Sequence, residues 1–315
     1  MSGKDLSIVI PVYNEEGSVK ALYSKLKEEL DRLGRSYEII FVDDGSTDST
    51  LKKIQGLIRK DGRVSVITFY RNFGKANALR AGFENVKGDI VITMDGDLQD
   101  DPREIGRFLK KLDEGYDLVS GWKYQRLDPM GKKIPSKFFN WLIRKMTGVK
   151  IHDNNCGFKA YRREVVRSLD VYGEFHRYLP VKAHWRGFRV GEIKVKHHKR
   201  TTGKSKYGIE RLFKGFIDLV TITFLTKYSR SPLHFFARGF VFSMILGSIP
   251  MGFSLYYLIA DGSNFLNPGT VLGAVLYLFG ITTLFVGLTA ELLLSAVGTE
   301  RITRSHYRII SGKGK

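Results

Sequence analysis

Short apolar runs alternate with amphipathic stretches along the amino-terminal part of the chain. The runs are rich in Ile and Val, as expected for strands buried on both faces, and lie at 6–12, 37–42, 64–69, 89–94 and 117–121. Between the first two runs, apolar residues recur every three or four positions, which predicts a helix with the stripe Val19, Leu22, Leu26, Leu30 and Leu33. The next connection repeats this pattern at Leu51, Ile54, Leu57 and Ile58. Such repetition predicts a doubly wound, mostly parallel α/β sheet.

Two longer apolar stretches, 239–260 and 271–290, contain no charged residue. A membrane span needs about 20 residues at roughly 1.5 Å each, so both stretches are long enough to cross a bilayer. The loop between them has no Lys or Arg, whereas basic residues flank the pair on both sides. This bias predicts a two-helix hairpin with both termini in the cytosol. A buried helical hairpin in a soluble protein is the alternative.

The patterns divide the chain into four segments. We expect a cytosolic α/β domain over 1–206, because the amino terminus leads directly into a strand pattern without the features of a signal peptide. Amphipathic juxtamembrane helices follow over 207–235, with packing against the soluble core as the alternative to an interfacial position. The transmembrane hairpin then covers 236–298 and a basic cytosolic tail covers 299–315.

Composition narrows the range of partners. Lys and Arg outnumber Asp and Glu by 51 to 32, a net charge of +19, so an anionic partner is expected: nucleic acid, a phosphorylated ligand or acidic lipid. Nucleic acid fits poorly, because the basic residues concentrate towards the predicted membrane end. The single Cys156 excludes an internal disulfide framework and is compatible with a reducing compartment.

Acidic and polar residues follow four of the predicted strands, where an open parallel sheet binds its ligands. They are Asn14, Glu15, Asp43, Asp44, Arg71, Asn72, Asp95 and Asp97. Carboxylates alone would repel a phosphorylated ligand, so we expect a bridging Mg2+ or Mn2+. Asp95 and Asp97 share a side of the extended chain, and Gly96 permits close backbone approach. Taken alone, such a pair is more often a solvated loop feature, but its position after a buried strand, together with the other polar strand ends, favours a metal site.

Three segments resemble the signature of family 2 inverting glycosyltransferases: IPVYNE at 10–15, VDDGSTD at 42–48 and MDGDLQ at 94–99. More narrowly, the chain is similar to the polyisoprenyl-phosphate glycosyltransferases, which include dolichyl-phosphate mannose synthase and bacterial undecaprenyl-phosphate glucosyltransferases. The resemblance implies a Rossmann-like GT-A catalytic domain followed by interfacial helices and two transmembrane helices. It also implies assembly into homo-oligomers.

The resemblance implies site roles residue by residue. The nucleotide sugar would be bound by Pro11, Tyr13, Glu15, Asp43, Asp44, Arg71, Asn72, Lys75, Asp95 and Gln99. Asp95 and Asp97 would hold the metal, and the catalytic set would be Asp95, Asp97 and Asp153. Lys75 is equally explained as a solvated residue of a first helical turn. Asp153 is a candidate general base, an orienting group or a turn cap.

The implied acceptor is a polyisoprenyl phosphate, which needs cations close to the bilayer. The candidates are Lys123, Lys137, Arg200, Ser205 and Lys206, with the last three in a segment similar to the family's Arg-x-x-Gly-x-Ser-Lys pattern. Relatives have arginines where this chain has Lys123 and Lys137, which weakens the transfer of a bidentate role. Attraction of anionic head groups, at roughly 1 kcal/mol per residue, is the alternative.

The expected reaction is inverting, metal-dependent transfer of glucose from UDP-glucose to undecaprenyl or dolichyl phosphate, at a bacterial inner membrane. GDP-mannose is the alternative donor. A processive polysaccharide synthase is less favoured because the chain lacks a Gln-x-x-Arg-Trp motif. A non-catalytic membrane scaffold is disfavoured by the intact acidic strand ends.

Overall fold

The computed structural model describes residues 4–124, 144–145, 147–169, 171, 175–196, 220–221, 224, 228, 231–262 and 264–297. Four predicted acceptor-phosphate residues, Lys137, Arg200, Ser205 and Lys206, lie outside the described residues. So do most of the predicted juxtamembrane segment and the tail. The chain divides into two compact units, one containing the described residues up to Val220 and the other those from Thr221 onwards. The boundaries between the four predicted segments stay predictions.

The first unit contains one seven-stranded sheet. In chain order its strands are β1 Lys4–Val12, β2 Tyr37–Asp43, β3 Val64–Thr68, β4 Gly88–Thr93, β5 Leu118–Lys123, β6 Lys159–Arg162 and β7 Val190–Val195. Their spatial order is β3-β2-β1-β4-β6-β5-β7, and β6 runs antiparallel to both neighbours while the other pairs are parallel. The predicted mostly parallel sheet is confirmed. The sequence pattern did not predict β6 or β7.

Helices cover both faces of this sheet. They are α1 Val19–Leu33, α2 Thr50–Ile58, α3 Lys75–Glu84, α4 Ile105–Asp113, α5 Arg163–Ser168 and α6 Leu179–Trp185. Alternate side chains of β1 separate the two cores: Ile8 packs on the α1 and α4 side, and Val9 packs on the α3 side. Of the predicted α1 stripe, all but the half-buried Leu33 are buried. Burial on both faces explains why the central strands read as continuous apolar runs.

The second unit contains two 30-residue helices, α7 Pro232–Asp261 and α8 Pro268–Val297. They approach closely at small residues, since a Cβ on Gly247 would lie 3.1 Å from the carbonyl oxygen of Gly273. Ser243 also donates its hydroxyl to the carbonyl of Leu276 across the pair, at 2.6 Å. Only 17% of each apolar window is buried, unlike a core helix of a soluble protein. These features suggest membrane anchoring.

Candidate active site

The carboxyl ends of β1, β2, β3 and β4 meet at one edge of the sheet, because these four strands are parallel. The loops after β1 and β2 are tied together by hydrogen bonds. Asn14 donates its amide to the Ser46 hydroxyl at 3.0 Å, and Thr47 donates its amide to the Asn14 side chain at 2.8 Å. Asn14 has a left-handed backbone with φ of 55°, which asparagine tolerates better than most residues. These hydrogen bonds fix the loops after β1 and β2 relative to each other.

The adjacent carboxylates of Asp43 and Asp44 hold neighbouring loops in place. Asp43 accepts a hydrogen bond from the Thr68 hydroxyl at 3.1 Å. Asp44 accepts from the backbone amides of Phe73 and Gly74, at 2.7 and 2.9 Å, and burial raises its pKa. Both oxygens of Asp44 thus organise the loop that leads into α3. This positions the predicted donor-binding residues of that loop.

Exposed side chains border the same loops. Tyr13 is 41% exposed, and both Arg71 and Asn72 are exposed. The Arg71 guanidinium lies 4.8 Å from the ring centre of Phe73, a cation–π contact that fixes its direction. Glu15 is half-buried, and its carboxylate accepts from the Ser18 hydroxyl at 2.9 Å. The structure brings the predicted nucleotide-binding residues to one edge, with Pro11 half-buried at the end of β1.

Asp95 and Asp97 follow β4 at the centre of this edge. Asp97 is buried and accepts from the amide of Gln99 at 3.2 Å, and Leu98 between them has a left-handed φ of 62°. Gly96 is required by packing, since a Cβ there would lie 2.8 Å from a methyl of Val12. This contact explains the glycine by packing against β1, and the predicted close backbone approach at the ligand site stays a prediction.

Lysines surround the Asp95 carboxylate. Lys75, the first residue of α3, forms an ion pair with Asp95. Burial opposes charge on Asp95, but Lys75 and Lys123 outweigh it and lower the pKa of Asp95. Burial lowers the pKa of Lys123, but the buried Asp100 at 3.6 Å, together with Asp95 and Asp153, outweighs burial, so the pKa of Lys123 is raised. Both lysines therefore stay charged at neutral pH.

The donor set fits a hard divalent cation. Asp95 and Asp97 offer carboxylate oxygens, the ligand type that Mg2+ and Mn2+ prefer. Within the described residues, no cluster of three or more His, Cys, Asp or Glu is arranged to hold a metal alone. A site with two carboxylates suits an ion that completes its coordination with substrate phosphates and water. Asp95 and Asp97 are the residues that would hold it.

Asp97→Asn is expected to stabilise the metal-free protein at neutral pH. Burial, followed by the nearby Asp95 charge, raises the pKa of Asp97 from 3.8 to about 6. Because the folded state binds this proton more tightly, wild-type stability should fall by about 3 kcal/mol as pH rises from about 4 to about 6, and stay lower above that range. Asparagine lacks this titration and can still accept from the Gln99 amide.

Thermal unfolding in detergent with a chelator, from pH 4 to pH 8, checks this prediction. The melting temperature of the variant minus that of wild type should increase as the pH rises from the ordinary pKa of Asp97, 3.8, to its folded-state pKa of about 6. An advantage that is the same at every pH would contradict it.

A loop before β6 closes the other side of Asp95. A Cβ on Gly157 would lie 2.3 Å from an oxygen of the Asp95 carboxylate, and Thr93 donates its hydroxyl to the Gly157 carbonyl at 2.7 Å. Asp153 is buried and accepts from the amide of Asn155 at 3.1 Å, as a turn-capping aspartate does. This geometry favours an orienting role for Asp153 over that of an exposed base.

Sequence reasoning missed three polar residues beside Asp95. Lys159 is 3% exposed and donates its ammonium to the carbonyl of Cys156. His176 and Arg177 line a small cleft together with Lys159. A charged residue between Phe158 and Ala160, both apolar, was a usable signal for Lys159. His176 and Arg177 carried no comparable signal, because they lie in a short turn, Phe175–Tyr178, far along the chain.

Comparisons with known proteins identify the family of this chain. The model of the family described as Glycosyl transferase family 2 matches residues 7–170. A dodecaprenyl-phosphate galacturonate synthase from Rhizobium johnstonii is 36% identical, with 96% of this chain and 89% of that protein covered. An undecaprenyl-phosphate 4-deoxy-4-formamido-L-arabinose transferase from Pseudomonas aeruginosa is also 36% identical, with 91% and 84% covered.

The fold also matches a solved structure. Glucosyl-3-phosphoglycerate synthase from Mycobacterium tuberculosis, in complex with Mn2+, uridine diphosphate and phosphoglyceric acid, superposes with a TM-score of 0.53. The match has 20% sequence identity and covers 71% of this chain and 78% of that one. The predicted GT-A-like α/β domain, followed by two long apolar helices, is confirmed.

Proposed function

The chain belongs to glycosyl transferase family 2 as a polyprenyl-phosphate glycosyltransferase, and we propose that it moves a hexose from a UDP-sugar to undecaprenyl or dolichyl phosphate. The observation that carries the proposal is the Asp95–Asp97 pair at the end of β4, with Lys75 and Lys123 beside it. Carboxylates for a cation and lysines for phosphate oxygens are the groups that a nucleoside diphosphate needs. The loops after β1, β2 and β3 carry the residues that would bind the nucleotide.

The reaction is a single in-line displacement. An oxygen of the lipid phosphate forms a bond to the anomeric carbon, while the bond from that carbon to the UDP oxygen breaks and UDP leaves with the electron pair. A phosphate monoester is already largely ionised at pH 7, with a second pKa of about 6, so the attack needs no strong base. Asp153 then orients groups and does not remove a proton. Inversion at the anomeric carbon follows from the single step.

Side chains around Asp95 would bind the diphosphate of the leaving group and stabilise its charge. A bound divalent cation would neutralise charge developing on the diphosphate. Lys75 stays near Asp95 and offers its ammonium to the phosphate oxygens. Lys123 is the described member of the proposed acceptor-phosphate set, with Lys137, Arg200, Ser205 and Lys206 as its further members.

The two apolar helices explain how a water-soluble donor meets a lipid acceptor. We propose that α7 and α8 cross a bacterial inner membrane and that the first unit and both termini lie in the cytosol. Homo-oligomers are part of the same proposal, on the family resemblance alone.

A donor panel tests this function. The full chain in detergent, with Mn2+ and undecaprenyl phosphate, is offered UDP-glucose, UDP-galactose, UDP-glucuronate, UDP-galacturonate, a UDP-4-formamido-pentose and GDP-mannose. UDP-glucose is the donor expected from the sequence and GDP-mannose is the alternative, whereas two relatives are named for galacturonate and a formamido-arabinose. Lipid-dependent release of UDP is expected. Release of GDP alone would move the assignment to a mannose synthase.

A further inference from the structure

A narrow cleft lies beside Asp95, which is close to two of its lining residues, Lys75 and Gly157. It lies between α3, β4, β6 and the turn Phe175–Tyr178, and Lys75, Asn155, Lys159, His176 and Arg177 provide its polar lining. The strand order places β6 beyond β4 from β1 and β2, so the β6 residues of the cleft lie across β4 from the strands whose loops are proposed to bind the nucleotide. Its interior has room for about one water-sized group, which admits a sugar substituent and excludes the ring.

Three basic side chains line the cleft, and among the described residues the Lys159 ammonium has no ion-pair partner. Lys159 and Lys75 reach it from the sheet and from α3, and Arg177 reaches it from the turn. Among the described residues, no carboxylate lies within ion-pair distance of the Lys159 ammonium, and burial lowers the pKa of Lys159. Within the described parts of the chain, Lys75 forms its ion pair with Asp95, and that carboxylate is assigned to the cation.

A ring nitrogen of His176 is a second polar group of the cleft that a ligand could satisfy. Its Nδ1 atom is buried and has no hydrogen-bond partner within the described parts of the chain. Burial, with Lys75 and the adjacent Arg177, lowers the pKa of His176 to about 2, so the ring is neutral. A buried polar atom without a partner is costly, and a neutral imidazole can donate one N–H. A ligand oxygen in the cleft would satisfy it.

We propose that the donor is a nucleoside diphosphate hexuronate whose carboxylate enters this cleft. Lys159 forms a salt bridge with the carboxylate and His176 donates its Nδ1 hydrogen to it. A neutral hydroxymethyl group fits the same space but leaves the buried ammonium without a counter-charge. The inference rests on the proposed function and replaces the expected glucose with a sugar acid.

Relative turnover of matched donors tests the inference first. UDP-glucuronate and UDP-galacturonate differ from UDP-glucose and UDP-galactose only at C6, so each pair isolates the carboxylate. With the full chain, Mn2+ and undecaprenyl phosphate, kcat/KM for the preferred sugar acid should exceed that for its neutral partner by about 10- to 100-fold. Equal or better use of the neutral sugars would overturn the inference.

Lys159→Met tests whether Lys159 binds the donor carboxylate. Methionine has a similar volume, and replacing a buried charge by an apolar group of that size is often neutral for stability. The variant should lose about 10- to 100-fold in kcat/KM with the sugar acid and change little with the neutral sugar, so the preference collapses. Lys60→Met, at an exposed position after α2, is the matched control and should keep the preference.

His176→Ala provides a second, independent variant if Lys159→Met fails to fold, as judged by circular dichroism and UDP binding. It should reduce the same preference by a smaller factor. An equal loss with every donor, with a raised KM for the lipid phosphate, would instead assign the cleft to the acceptor and contradict the inference. If no donor yields lipid-linked sugar even with wild type, the proposed function itself fails.

Discussion

Asp97→Ala should reduce metal-dependent sugar transfer by about a thousandfold or more. The carboxylate is one of two described groups that would hold the cation on the leaving diphosphate, and stabilisation of that charge is worth several kcal/mol. At about 1.4 kcal/mol per factor of ten in rate, loss of the cation accounts for a decrease of this size. The measurement is the initial rate of UDP release at saturating donor and lipid phosphate, with Mn2+ titrated.

The fold of this variant should survive. Burial raises the pKa of Asp97, so its charge is a cost to the folded state, and its removal relieves that cost. Asp113→Ala, at an exposed position in α4, is the matched control and should keep wild-type activity and Mn2+ affinity. Undiminished metal-dependent transfer by a folded Asp97→Ala protein would contradict the assignment of Asp97 as a metal ligand.

Gly157→Ala should lower kcat by about a hundredfold while the protein remains folded. A Cβ at this position would lie 2.3 Å from one oxygen of the Asp95 carboxylate and 2.6 Å from the other, so the carboxylate must move. Misplacement of a catalytic group by about 1 Å can cost this much in rate. The Mn2+ concentration for half-maximal activity should rise as well, because Asp95 is a proposed ligand.

Gly56→Ala is the matched control for this steric effect. Gly56 lies within α2, and a Cβ there meets no atom within 4 Å. The substitution should leave kcat unchanged and stabilise the chain by up to about 1 kcal/mol, since glycine is unfavourable inside a helix. A Gly157→Ala protein as active as this control would show that the loop before β6 does not constrain Asp95.

The strands that carry the donor side were predictable from sequence because burial on both faces leaves a continuous apolar pattern. Ile8, Val9 and Ile10 read as one run even though they face two different cores. The strand ends then identified Asp95 and Asp97 directly. A local pattern was enough, since the carboxyl ends of parallel strands meet at one edge.

Other parts of the site depend on contacts between distant segments. The antiparallel β6 has four residues, and its buried Lys159 faces the site where an apolar residue would be usual. Sequence could not separate the roles of Asp43 and Asp44, because the backbone partners of Asp44 lie about 30 residues away at Phe73 and Gly74. The sequence left Lys75 equally open as a nucleotide contact or a solvated helix residue, because its ion pair with Asp95 joins two segments 20 residues apart.

Mass spectrometry of the lipid extract gives the most direct test of transfer to a lipid phosphate. Purified full chain in liposomes containing undecaprenyl phosphate is incubated with the nucleotide sugar panel and Mn2+, with and without chelator. We expect one new lipid whose mass equals the lipid phosphate plus one sugar residue, formed only with the cation and absent with Asp97→Ala. Sugar released into water or attached to another acceptor, with the lipid phosphate unchanged, would contradict the assigned reaction.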